Sequence, residues 1–315
     1  MKEYFLPKTK IHKRWDPNLT PALEIEPGDL VHFDAEEGSC GQITPESTSS
    51  VLSNPGLDFQ NMYPLAGPVF VKGLKKGNVL SIEIVETRVG SWGWTAIIPG
   101  GFGLLPEDFQ EPYLKIWDLS NGKTAKMNEN IQIPLDPFCG TMGVCPAGEN
   151  PPPIPIPGQF GGNLDHKHLH AGSTLLLPAQ IEGGLFSAGD CHAAQGDGEV
   201  CVSAIESPMI FALRFGIRRD ISIQEPQFIC RGTLTPQTDR KGYFGTMGIG
   251  PDIKENAQKA IRYMVEHLVS QRGMTREEAY VLCSLTVDLK INAIVNAPNV
   301  VVSAYLPLSI FDSPD

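Results

Sequence analysis

Glycine and proline interrupt this chain so often, at 32 and 27 of its 315 residues, that long regular elements are excluded over most of its length. Proline lacks an amide hydrogen and glycine loses extra conformational entropy on ordering, so the hydrophobic runs between them stay short. Those runs read as strands. Leu30 to Phe33, Pro68 to Val71, Val79 to Val85 and Ile131 to Leu135 are β-prone and bounded by Gly, Pro, Asn or Asp, the spacing of a sandwich or barrel. Helical periodicity is confined to the C-terminal region. From Lys254 to Val269 the apolar Ala257, Ile261, Met264, Val265 and Leu268 recur at helix spacing before a stop at Arg272-Gly273. Thr275-Arg276-Glu277-Glu278 has the form of a capping box and opens a second helix to about Leu282. Strand patterns return at Ile291 to Val295 and Val300 to Tyr305. The chain therefore reads as mainly β (α+β). Its expected parts are an N-terminal β-rich part (1–147), a Pro-rich strap (148–160), a second β-rich part (161–250) and C-terminal helices packed on strands (251–315).

Charge and cysteine usage narrow the function classes. A net charge of -11 repels nucleic-acid phosphates and anionic lipid, which leaves a neutral or cationic substrate. The basic segment Met1 to Pro17 holds no apolar run of signal-peptide length, and nothing later approaches the ~20 apolar residues of a membrane span. A soluble cytoplasmic protein is expected. The seven cysteines (40, 139, 145, 191, 201, 230, 283) form no CxxC pair, so they read as reduced thiols rather than a disulfide framework or a structural zinc site.

The chemistry concentrates in Gly189-Asp190-Cys191-His192-Ala193-Ala194-Gln195-Gly196-Asp197-Gly198-Glu199. Three carboxylates and an imidazole this close repel and desolvate one another unless a cation, a shared proton or an attacking water reconciles them. Apolar runs at Leu185–Ala188 and Val200–Ile205 flank the stretch, which places it as a loop between two core strands. A solvated acidic turn is the alternative, since Asp-Gly is common in turns. The strap, stiffened by Pro151 to Pro157, leads into Gly161-Gly162-Asn163-Leu164-Asp165 and so delivers another carboxylate to a flexible turn. His166, His168 and His170 would share one face of a strand, as a metal or substrate rim or simply as a polar edge, the reading preferred for His166 and His170. His32 and Asp34 alternate onto one face, and Asp34 is the candidate there. Cys139 is a possible nucleophile if it meets His192 in space, or an ordinary buried thiol; Cys191 would point away from His192 on an extended backbone. No Gly-x-Ser-x-Gly elbow, Walker loop or dinucleotide fingerprint is present.

These residues resemble the acetamidase/formamidase family. The resemblance rests on Gly161 to Asp165, on Gly172-Ser173-Thr174-Leu175-Leu176-Leu177-Pro178, and on Gly184 to Asp190 continuing through His192 into Gln195 to Val200. It is supported by Gly41-Gln42-Ile43, Gly67-Pro68-Val69, Pro137-Phe138 with Gly140 and Gly143, and Asp288 with Pro307, and it spans nearly the whole chain. It implies hydrolysis of formamide or acetamide to carboxylate and ammonia. It further implies jelly-roll and barrel-like β parts with an α/β C-terminal lobe, and a homodimer or higher homo-oligomer. An unactivated amide needs both an activated water and a stabilised oxyanion, tasks a divalent metal performs. Asp34, Asp165, Asp190 and His192 are assigned to its shell, with zinc first and calcium second. Glu199 or Asp197, with His192, would move protons, and Asn163, Gln195 and Cys139 would contact substrate. Two rivals stand: attack by Cys139 through a thioester, and a non-catalytic small-molecule or carbohydrate-binding sandwich with a structural calcium and a Trp92-Gly93-Trp94 stacking platform.

Overall fold

The short strands assemble, in the computed structural model, into two six-stranded sheets; residues 1–53, 56–148, 150–230, 241–295 and 298–312 are described. Glu149 of the strap lies outside the described residues. One sheet has the order Glu3–Leu6, Leu30–Ala35, Met209–Arg218, Val79–Val89, Thr174–Pro178, Gln227–Ile229. The other runs Gly161–Asn163, Phe138–Gly143, Phe186–His192, Leu65–Val71, Ile11–His12, with Leu23–Ile25 lying parallel to Leu65–Val71. Both sheets draw strands from each side of the strap, so spatial order departs from chain order.

Alternation of residue type decides which face each strand buries. In Leu30–Ala35 the buried Val31, Phe33 and Ala35 alternate with the half-buried His32 and Asp34. Four phenylalanines then join the sheets: Phe33 stacks on Phe211 at 4.9 Å, and Phe186 of the second sheet meets Phe215 of the first edge-on at 5.2 Å. All four are fully buried. Each such side chain removed from water contributes about 1.5–3 kcal/mol, which makes this cluster the main tie of the sandwich.

A second core is built largely from the C-terminal segment. Helix α1 (Ile253–Arg272) buries Ala260, Ile261, Met264, Val265 and Leu268. It packs on a three-stranded sheet in the order Tyr243–Gly250, Val300–Pro307, Asp288–Ala293. The Asp252 carboxylate accepts from Glu255 N at its start, and Gly273 ends it at φ 64°. Helix α2 (Arg276–Thr286) carries the capping box read from Thr275 and Glu278 and runs one turn beyond Leu282. No helix among the described residues is long and apolar enough to cross a membrane. The architecture is mainly β (α+β), as the punctuation required.

Two local expectations are corrected. The segment from His166 to His170 forms a turn closed by Leu169 N donating to His166 O (2.9 Å), so its histidines share no strand face. The acidic stretch does not begin as a loop: Phe186–His192 is a strand with all seven residues buried, and Asp190 and His192 lie on it. Pairing on both edges, with Phe138–Gly143 and Leu65–Val71, satisfies its backbone and carries it into polar sequence. Val200–Ile205 is irregular instead, because several of its amides go to side chains or to a turn rather than to a neighbouring strand. Cys201 N donates to Ser284 Oγ (3.2 Å), Val202 N to Glu199 O (2.9 Å) and Ala204 N to Glu206 Oε1 (3.1 Å).

Candidate active site

Where the strand Phe186–His192 ends, five ionisable side chains converge. His192 Nε2 lies 3.6 Å from Asp190 Oδ1 and 3.3 Å from Glu206 Oε1. Ligand atoms of Asp165, His192 and Glu199 lie within 4.8 Å of one another, as do those of Asp190, His192 and Glu206. Gly140 makes the convergence possible. A Cβ there would sit 2.6 Å from Asp165 Oδ1, 2.7 Å from His192 Cε1 and 2.9 Å from Asp190 Oδ2. Its carbonyl also accepts from the amides of Leu164 and Asp165 (3.0 and 3.1 Å), which anchors the turn carrying Asp165 over the same strand.

The cluster is held by strained backbone. Seven described residues other than glycine have positive φ, and five of them, Tyr63, Asp165, Asp190, Glu199 and Val202, line one cavity. Such conformations cost on the order of 1–3 kcal/mol each and persist only where surrounding contacts over-determine them, so their concentration here marks a site shaped for function. At Asp190 the strain turns the side chain out of the strand's regular alternation. The neighbouring Cys191 joins the sandwich core, while Asp190 faces the cavity.

Hydrogen bonds fix the imidazole. Gln195 Nε2 donates to Asp165 O (2.8 Å), which turns the Gln195 carbonyl oxygen toward His192 Nδ1 at 2.8 Å. Nδ1 therefore carries a proton, and Nε2 is the nitrogen presented to Asp190 and Glu206. Thr141 Oγ1 donates to Asn163 Oδ1 (2.6 Å) and reaches Asp190 Oδ2 at 3.3 Å, and Asn163 Nδ2 donates to Asp165 Oδ2 (2.6 Å). Two oxygens are left over: Asp165 Oδ1 and Glu206 Oε2 are buried without a hydrogen-bond partner. An unpaired buried carboxylate oxygen is costly, and both belong to this cluster.

The electrostatics record the crowding. Burial, and then Asp190, push the Asp165 carboxyl up to about 7. Burial, and then Asp165, hold Glu199 well above the usual carboxylate range, and burial also raises Glu206. Burial alone would lower His192, but the attraction of Glu206 and Asp190 outweighs it and raises the imidazole. Crowding and burial thus raise the proton affinity of four of the five groups. Mixed carboxylate and imidazole ligands, two orphaned oxygens and a glycine cradle together fit a divalent cation.

Around the cluster opens a cavity of about 860 Å3, lined by Asn163, Asp165, Asp190, Glu199 and Glu206 at its polar end. Tyr63 also lines it, and burial, then the neighbouring carboxylates, push its hydroxyl far above its ordinary range, so it stays protonated. Of the residues singled out from sequence, Asn163, Asp165, Asp190, His192, Gln195 and Glu199 meet here. Asp34 does not: it shares the outward face of its strand with His32, opposite the buried Phe33, and is corrected out of the metal shell. Asp197 also stands apart. It pairs with Lys167 Nζ (3.6 Å) and lies 4.0 Å from His168 Nε2, while Lys167 makes a closer contact to Asp288. Cys139 is buried in the sandwich core, opposite Cys191 in the strand register and absent from the cavity lining. That corrects its assignment to substrate and removes the geometry for thiolate attack. Trp94 is not an open stacking platform, because its indole is buried and donates to Glu37 Oε2 (2.7 Å). Sequence reasoning missed Glu206 and Tyr63 and counted Gly140 only as part of the family pattern, not as the cradle; a lone carboxylate closing the apolar run Val200–Ile205 was the available signal for Glu206.

Known proteins share this arrangement of chain. The acetamidase/formamidase family profile matches residues 2–152 and 153–313. A formamidase of Methylophilus methylotrophus is 23% identical over 96% of this chain and 90% of its own length. An acetamidase of Mycolicibacterium smegmatis is 26% identical over 60% of this chain and 61% of its own. Among solved structures, an acetamidase from Bacillus halodurans superimposes with a TM-score of 0.68 at 28% identity, covering 96% of this chain and 97% of that one. A γ-lactamase from Delftia acidovorans reaches 0.91 at 22% identity over 99% and 95%, a likeness of fold. With the family profile spanning both halves of the chain and carboxylates converging on one imidazole, this chain belongs to the acetamidase/formamidase family and is an amide hydrolase.

Proposed function

We propose that this protein hydrolyses the C–N bond of primary carboxamides, formamide and acetamide being the simplest, to carboxylate and ammonia through an activated water. The observation that carries the reading is the convergence of Asp165, Asp190, Glu199 and Glu206 on the buried His192 beside the cavity, with two oxygens unpaired. Asp190, His192 and Glu206 would hold a divalent ion, with Asp165 closing the shell, and zinc suits a mixed N/O set of this size better than calcium. Such an ion supplies Lewis acidity toward water and the amide carbonyl when bound.

The chain's own groups do the remaining work. Glu199, beside Asp165 and His192 on the cavity wall, takes a proton from the water in its ionised form as the new C–O bond forms. It then delivers that proton to the amide nitrogen, and the C–N bond breaks with its electron pair leaving on ammonia. The Tyr63 hydroxyl, kept protonated, donates to the developing oxyanion. Gln195 keeps the imidazole in one tautomer throughout. The homo-oligomeric assembly and cytoplasmic location expected from sequence go with this reading as further proposals.

The test combines elemental analysis of the purified protein with an ammonia-release assay on formamide, acetamide and propionamide. About one divalent ion per cluster is expected, with turnover lost on long incubation with a strong chelator and restored by that ion. Ammonia release indifferent to chelation in an ion-free protein would sink the metal-activated water.

A further inference from the structure

The cavity is larger than its smallest substrates require. Formamide and acetamide have three and four heavy atoms, whereas about 860 Å3 falls in the roughly 300–1,000 Å3 range that holds a drug-sized ligand. The carboxylates hold the cavity's inner end, while the exposed Lys13, Arg14, Gln60 and Asn150 share the rim with apolar side chains. The apolar lining comprises the buried Met62 and Trp94, the half-buried Ile98 and Val202, and the exposed Phe59 and Phe102. Those two rings are 51% and 45% exposed yet stacked on each other, 5.8 Å apart at 13°. They come from separate segments, a 3-10 turn at Phe59–Asn61 and a loop in which Gly100, Gly101 and Gly103 all take positive φ. The proline strap from 151 to 155 lines the same space, and proline's fixed φ makes that wall stiff before any ligand arrives.

An acetyl group bound at the carboxylates would leave this apolar passage filled with water. We infer that the preferred substrate is a primary carboxamide whose acyl group is apolar and long enough to reach from the carboxylate cluster to the Phe59–Phe102 pair, an arylalkanoic amide being the type. This rests on the amide-hydrolysis reading above, in which ammonia is the leaving group, so the bulk lies on the acyl side. Burying apolar acyl surface in the transition state raises kcat/KM, by about fourfold for each methylene. Phe59 and Phe102 thereby set acyl specificity without touching the reacting bond.

Ammonia release from acetamide, butyramide, phenylacetamide and 3-phenylpropionamide tests this directly. The expected result is a rise in kcat/KM of at least about a hundredfold from acetamide to 3-phenylpropionamide. Phe102→Ala and Phe59→Ala, both at half-exposed positions, should each cost the aryl amide about tenfold more than acetamide. A kcat/KM that is flat or falls with acyl size overturns the inference while leaving amide hydrolysis standing. If no amide releases ammonia, titration calorimetry separates the two claims. Tighter binding of 3-phenylpropionamide than of acetamide, weakened by Phe102→Ala, would support the acyl site and sink the hydrolysis reading, whereas equal binding would sink the acyl site as well.

Discussion

Two acidic clusters lie side by side in this molecule, built from the same pieces of chain. Asp165 and Glu199 enter one; Lys167 and Asp197, two residues from each of them, enter the other. In the second cluster Lys167 bridges Asp197 and the buried Asp288, Asp197 N donates to Asp288 Oδ1 (3.0 Å), and Leu289 N donates to Asp197 O (3.0 Å). Lys167 offsets one of its two carboxylates within the chain, and the cluster clasps the Asp165 turn to the Glu199 turn and the C-terminal sheet. The first cluster contains four carboxylates and no lysine or arginine. It keeps two oxygens unpaired and raises the proton affinity of Asp165, Glu199, Glu206 and His192. Where the chain supplies the cation, the cluster is structural; where it withholds one, the cluster is available for chemistry.

Removing a ligand from the uncompensated cluster should produce the largest effect on turnover. His192→Ala and Asp190→Asn should each lower kcat for amide hydrolysis by at least about two orders of magnitude, the usual scale for losing a metal ligand or acid–base group, with the far-UV spectrum unchanged. Retention of near-wild-type turnover in either variant breaks the comparison. Gly140→Ala attacks the same cluster without changing its charge. The added methyl meets three of its side-chain atoms at 2.6–2.9 Å, so the ligands must spread. Metal content and kcat should fall together, by about tenfold or more, and a fully active Gly140→Ala enzyme would show that the cradle is not what sets the ligand geometry.

The compensated cluster should respond in stability first. Lys167→Met leaves the buried Asp288 facing Asp197 without a cation, and removing one partner of a buried pair typically costs about 3–5 kcal/mol. Denaturant unfolding should show that loss, with kcat falling less than in the His192 variant. Adding Asp288→Leu removes the stranded charge and should recover part of the stability. If Lys167→Met instead unfolds normally and loses all turnover, Lys167 belongs with the catalytic machinery and the two clusters are one.

Much of the fold was legible because its causes are local. The alternation in Leu30–Ala35, the periodicity of α1 and the capping box of α2 each depend on near neighbours. The site was legible only in part. Asp165, Asp190, His192 and Glu199 sit in short polar runs that advertise themselves, but their partner Glu206 is an isolated carboxylate brought beside His192 by a bridge between distant backbone segments. Asp34 shows the opposite failure: alternation correctly paired it with His32, yet the paired face is outside the sandwich, which only the burial of Phe33 against the other sheet determines. Positive φ at Asp165, Asp190 and Glu199 was hidden as well, since none of them is a glycine and tertiary contacts impose the strain.

The smallest effect on turnover should come from Cys139→Ser, and it tests whether proximity to the clusters is enough for function. Cys139 stands opposite Cys191 in the register of Phe138–Gly143 against Phe186–His192, one residue from both Asp190 and His192 along that strand pair. Strand geometry nevertheless turns its side chain into the core, where it is 3% exposed and outside the cavity lining. The Cys191 thiol is held far from ionisation, first by its hydrogen bond with Cys139 and then by burial, which is the environment of an inert pair rather than an activated nucleophile. Serine there keeps the volume but buries a hydroxyl, so a stability loss of about 1–3 kcal/mol is expected. Turnover at a temperature well below unfolding should stay within about threefold of wild type, whereas a thiolate mechanism would lose several orders of magnitude because an unactivated hydroxyl is a far weaker nucleophile. A folded Cys139→Ser enzyme without activity would move the reaction from the metal-fitting cluster to the thiol, and with it the meaning of every carboxylate around His192.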